Sequence, residues 1–181
     1  MAQSMHLIVL KDTGHVLGVL SGIAFAADPK LEEICGESFP VSGVRTRAAT
    51  GDPGAVMVPR ELLELKTVPL DPAVIAGCRE YLIAGTHLTR IAPPGTLPAI
   101  SLDADKVNLP GLAEKTMVVV SGASDPATER RVGLSSSTPF TPVVLGALPD
   151  GAVPAPVDAG ADCMVMVATQ GKPVRVDRET A

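Results

Sequence analysis

The chain of 181 residues has almost no aromatic side chains: one Tyr, three Phe and no Trp, 2% in all, namely Tyr81, Phe25, Phe39 and Phe140. Rings stack on bases and sugars and anchor most binding hot spots. Their scarcity removes that equipment, and the core has to be built from Val, Leu, Ile, Ala and Met. Positive charge is also scarce: 15 Lys and Arg stand against 20 Asp and Glu, for a net charge of −5. The basic residues are scattered, and the tight pair Arg130-Arg131 follows Glu129. A nucleic-acid binder carries a basic stripe, so nucleic acid is excluded as a partner.

Long apolar runs are missing as well. A membrane helix needs about 20 consecutive apolar residues, and the chain has none. The run Leu7 to Leu10 stops at Lys11-Asp12, and Val16 to Ala27 is broken by two glycines and Ser21. No Lys or Arg precedes Lys11, so the pattern of a secretory leader is not met. The three cysteines, Cys35, Cys78 and Cys163, are odd in number and irregular in spacing. They read as buried thiols rather than a disulfide framework. These features predict a cytoplasmic protein with no membrane contact. Its richness in Ala, Val and Pro points to a high-GC, bacterial genome.

Apolar residues make up 46%, and 17 Gly and 17 Pro punctuate them into short runs. Many short strands with regular turn signals predict a mainly β fold. The expected form is a sandwich or barrel of short antiparallel strands with one or two short helices. A length of 181 residues suits one domain or two small ones, and buries roughly 70% of the unfolded surface. The expected organisation is a β-rich part over 1–91, a linker or loop over 92–115, and a second β-rich part over 116–181.

The chain opens with a hairpin, strands 6–10 and 16–20 around Lys11-Asp12-Thr13-Gly14-His15, where Asp and Gly suit a type I turn with a bulge. Both strands are apolar on both faces, so both faces should be covered. Asp28 and Pro29 predict a helical turn over 29–35 ended by Gly36. Short strands are expected at 39–41, 55–58 and 65–70, with a helical turn at 59–64. Residues 73–81 read either as a helix capped by Asp71 and weakened by Gly77, or as a turn into strand 80–84. Further strands are expected at 116–120, 131–134, 142–145, 153–157, 163–168 and 174–176. Those carrying Pro belong at sheet edges. The tail 177–181 is expected to fray. Strand-turn-strand units at 7–20 and 117–134 hint at a duplication.

Chemistry-bearing residues are dispersed. Asp12-Thr13-Gly14 is the tripeptide that aspartic proteases use in pairs. The resemblance covers three residues, Lys11 precedes them, and no second copy exists. The same residues are what the hairpin turn demands. His6, His15 and His87 lack the clustered spacing of metal ligands. Cys78 and His87 would make a nucleophile and base only if the fold joined them. Asp103 and Asp105 resemble a fragment of a calcium loop, but Lys106 and Val107 break it. The run from Gly133 lacks the Gly-Lys-Ser/Thr ending of a phosphate loop. No catalytic, cofactor-binding or metal-binding residue is therefore assigned, and no cofactor is expected.

Two functional classes follow. The first is a non-catalytic structural or protein-interaction subunit of a homo- or hetero-oligomeric assembly. Its mean hydropathy of +0.30 leaves apolar surface for a subunit interface. The second is a small enzyme or ligand-binding β-barrel with a dispersed site around Asp12, His15, Cys78 and His87, joined by Arg130-Arg131.

Overall fold

The computed structural model describes residues 4–22, 29–42, 55–85, 87–92, 99–103, 106–109, 116–122, 141–145, 152–154 and 162–180. In chain order the elements are β1 (Ser4–Leu10), β2 (Val16–Leu20), α1 (Leu31–Cys35), β3 (Ser38–Ser42), β4 (Ala55–Pro59) and β5 (Leu63–Pro69). Then come α2 (Pro72–Ala76), β6 (Tyr81–Ala84), β7 (His87–Arg90), β8 (Ser101–Asp103) and β9 (Lys106–Asn108). The last are β10 (Thr116–Gly122), β11 (Thr141–Leu145), β12 (Ala152–Pro154), β13 (Asp162–Thr169) and β14 (Arg175–Thr180). Single 3-10 turns occupy Arg60–Leu62 and Cys78–Glu80. The fold is mainly β with two short helices. Its sheets are small and antiparallel, and none of them closes into a barrel among the described residues.

The chain divides into two compact units. The first comprises Met1–Phe39, Val58–Gly95 and Ala168–Val174; the second comprises Pro40–Met57, Thr96–Val167 and Arg175–Ala181.

In the first unit β1 is the middle strand of the sheet β2-β1-β5. Its continuous apolar run fits a strand covered on both faces, and residues 5–10 are all buried. One face of β1 joins Met5, Leu7 and Val9 to Val16 and Val74, with Val68, Cys78, Tyr81, Ile83 and Leu88 packed around them. On the other face Ile8 lies opposite Gly18. A Cβ at Gly18 would come within 2.8 Å of the Phe39 ring, so the missing side chain makes room for that ring. Asp71 caps α2, its Oδ1 accepting from the Ala73 N–H at 2.9 Å, and Gly77 ends it. Both readings of 73–81 thus hold in part: a helix of five residues, then a 3-10 turn, then β6.

In the second unit the sheet order is β11-β10-β13-β14, beside a smaller sheet β12-β9-β8. Val118 and Val120 of β10 and Cys163, Val165 and Val167 of β13 share a core with Ile100, Leu102, Val107 and Leu109. Their neighbours Met117, Val119, Met164 and Met166 are buried too, so both faces of these two strands are covered. The Pro-bearing strands β11 and β12 sit at sheet edges, as expected.

Four expectations need correction. Residues 92–115 are not all linker or loop, because Ser101–Asp103 and Lys106–Asn108 pair as β8 and β9. Each strand has three residues and one buried apolar side chain, Leu102 or Val107, too little for a period of two to be read. The tail does not fray before Thr180, because the ladder to buried β13 holds it as far as Asp162↔Thr180. Helix α1 begins at Leu31 with Lys30 at its N-cap, after the position expected from Pro29; Asp28 lies outside the described residues. Ser121 extends β10 instead of opening a loop. The expected strand 131–134, the turn cluster 50–54 and the run from Gly133 also lie outside the described residues. In the compared duplication, β10 pairs with β11 and lies beside β13.

Candidate functional site

The best-defined cluster of polar side chains surrounds the tip of the β1–β2 hairpin. The turn closes on itself through Gly14 N–H to Leu10 O at 2.8 Å and Leu10 N–H to His15 O at 2.9 Å. Gly14 has φ +75°, the left-handed conformation that glycine adopts without steric cost. The tip then docks on two further segments. Ile83 N–H donates to Gly14 O at 2.7 Å, and Lys11 N–H donates to Leu62 O at 3.0 Å. The Lys11 ammonium adds a bond to Glu61 O at 2.7 Å. A Cβ on Gly14 would collide with the Ile83 carbonyl. The glycine serves the dock as well as the turn.

His15 lies at the centre of this arrangement, 0% exposed. Its Nε2 is 2.7 Å from the carbonyl oxygen of Lys172, and its Nδ1 is 2.8 Å from Thr13 Oγ1. A carbonyl only accepts, so the network assigns the proton to Nε2, and the Thr13 hydroxyl donates to Nδ1. Burial lowers the imidazole pKa below its usual 6.5, opposed by the carbonyls of Lys172 and Thr169, which favour the charged form. The result is a neutral imidazole with both nitrogens engaged and no face open to solvent. Such a group fastens chain segments together. It has no free nitrogen with which to meet a substrate.

The other dispersed residues do not complete a site. Asp12 is exposed on the turn, beside the buried Thr13 that the imidazole uses. Cys78 is half-buried against the apolar cluster of β1, and burial pushes its thiol pKa up against the lowering effect of Arg79. Cys35 is also half-buried, its Sγ donating to Leu31 O at 3.1 Å, and burial again raises its pKa. Both are poorer thiolates than a free cysteine. Only Cys163 is fully buried, and none of the three cysteines is in a disulfide. His87 is exposed on β7, opposite Ala84 in the register. Arg130-Arg131 lie outside the described residues.

Asp103 accepts from Asn108 Nδ2 at 2.8 Å and lies 3.8 Å from Lys106 Nζ, its partner in the β8–β9 register. It serves the strand pair there, and Asp105 lies outside the described residues. No group of three His, Cys, Asp or Glu suited to a metal ion occurs among the described residues. No described helix is long and apolar enough to cross a membrane.

Sequence reasoning singled out Asp12 and His15 but missed what gives His15 its role. Thr13 was legible as the nearest hydroxyl. Lys172 was not, because a backbone carbonyl leaves no residue-specific trace. Comparison of the chain with family models, with curated proteins and with solved structures finds no match.

Proposed function

We propose that this chain is a non-catalytic structural or protein-interaction subunit of a cytoplasmic homo- or hetero-oligomeric assembly. One observation carries the reading: the side chain best suited to acid–base chemistry, His15, spends both ring nitrogens on holding the fold together. The remaining candidates support it, since Cys78 sits half-buried in an apolar cluster and His87 stands on an exposed strand. Three cysteines outside any disulfide suit a reducing compartment.

The test is the solution mass by light scattering across a dilution series. A mass well above the 18.6 kDa of one chain, persisting into the low micromolar range, is the expected result. A monomer at every concentration that also recovers no partner from its own cell extract would overturn the reading. A function lost in Asp12→Ala or His87→Ala at unchanged melting temperature would favour the dispersed-site enzyme instead.

A further inference from the structure

The sheet β2-β1-β5 has two ends of different character. At one end β2 packs against the 3-10 turn Cys78–Glu80 and against β6. At the other end β5 pairs with β1 along all seven residues, Ser4↔Pro69 to Leu10↔Leu63, without a bulge, and α1 is its helical neighbour. Among the described residues no strand pairs with the outer edge of β5. A regular, unpaired edge is a template for another strand.

The charges on β5 select which strand. Glu64 and Lys66 lie on one face, two residues apart, flanking Leu65 symmetrically, and they form an ion pair of 2.9 Å within the chain. We propose that the outer edge of β5 recognises β5 of a second copy of this chain, antiparallel, about a two-fold axis through Leu65. In that register Leu65 lies opposite Leu65, Glu64 opposite the second copy's Lys66, and Leu63 opposite its Thr67. Both copies then gain an opposite-charge cross-strand pair. Moving the axis to Glu64 sets Glu64 against itself, and moving it to Lys66 sets Lys66 against itself. Each such move shifts the register by two residues, so the two charges repel a two-residue slip and discourage unrelated strands while favouring one self-pairing.

The other edges are worse candidates. β11 and β12 contain Pro142 and Pro154, which have no N–H to donate. In β14 an axis at either central residue sets Asp177 or Arg178 against itself. β7 has only four residues.

This inference rests on the self-associating form of the assembly reading, and charge reversal separates the two. Sedimentation of the full chain compares wild type, Glu64→Lys, Lys66→Glu and the double exchange. Each single reversal is expected to raise the dimer dissociation constant about tenfold, and the double exchange to restore it to within about threefold. A wild-type multimer indifferent to the single reversals overturns the β5 pairing and leaves the assembly reading standing. A wild type that is monomeric throughout overturns the pairing together with self-association. Melting temperatures identify any variant that fails to fold.

A cysteine scan supplies an independent readout. With wild-type charges, Leu65→Cys should form a covalent dimer under mild oxidation, because directly opposed residues lie about 5 Å apart. Thr67→Cys should not exceed the wild-type background, since its copies would be about 13 Å apart in this register. Equal cross-linking at both positions would overturn the register.

Discussion

The imidazole of His15 and the carbonyl of Lys172 are 157 residues apart in sequence and 2.7 Å apart in the fold. This bond, with Thr13 on the other ring nitrogen, makes His15 a pH-dependent element of stability. Above about pH 6.5 the ring is neutral in both folded and unfolded chains, and its full contribution is present. Below that, the unfolded chain takes up a proton that the buried ring resists, because its pKa is lowered. Stability therefore falls as pH drops from about 6.5 through the folded pKa, by at most about 1.4 kcal/mol per pH unit. Urea midpoints at pH 7.5, 6.5 and 5.5 for wild type and His15→Gln check this. The difference between the two proteins should shrink towards acid, and a constant difference would remove the role assigned to the ring.

Thr13→Val keeps the shape of the side chain and removes the hydroxyl from His15 Nδ1. Leaving a buried ring nitrogen without a partner is expected to cost about 1–3 kcal/mol. In a double-mutant cycle with His15→Ala, a coupling of about 1 kcal/mol is expected. Additive losses would mean that the two side chains do not act together.

Gly14 and Gly171 share nearly the same backbone, φ +75° and +78°, in different surroundings. A Cβ at Gly171 meets nothing within 4 Å, whereas one at Gly14 strikes the Ile83 carbonyl. Gly171→Ala should cost only the left-handed penalty, about 1–2 kcal/mol. Gly14→Ala should exceed it by about 1 kcal/mol or more, since the dock on β6 has to open. Chemical denaturation of the two variants side by side decides the point.

The cysteines allow a kinetic check. Burial raises the pKa of both Cys35 and Cys78, so at pH 8 a smaller share of each is thiolate. Both should react with a disulfide reagent more slowly than glutathione does, and buried Cys163 should react last. A thiol faster than glutathione would identify an activated nucleophile and revive the enzyme reading.

Much of the fold is legible in the chain where burial is complete. The apolar runs of β1, β10 and β13 can only be covered strands, and Lys11 to His15 can only be a turn. Legibility fails where strands are three residues long, as at Leu102 and Val107. It fails again in the second half of β14, where Asp177, Arg178 and Glu179 read as a loose tail although Arg175 and Val176 read as strand. Opposite Cys163, Val165 and Val167 stand Glu179, Asp177 and Arg175, held by backbone bonds that no side chain announces. Of the candidate cluster, the turn residues were readable. The partner at Lys172 depends on chain topology, which local pattern does not encode.

The span between His15 and Lys172 also fixes an order in time. A ribosome adds about 5–20 residues each second. For on the order of ten seconds after it is made, His15 has no Lys172 carbonyl to bind, and Ala168–Val174, which belong to the first compact unit, do not yet exist. The β1–β2 hairpin is thus synthesised well before the segment that locks it.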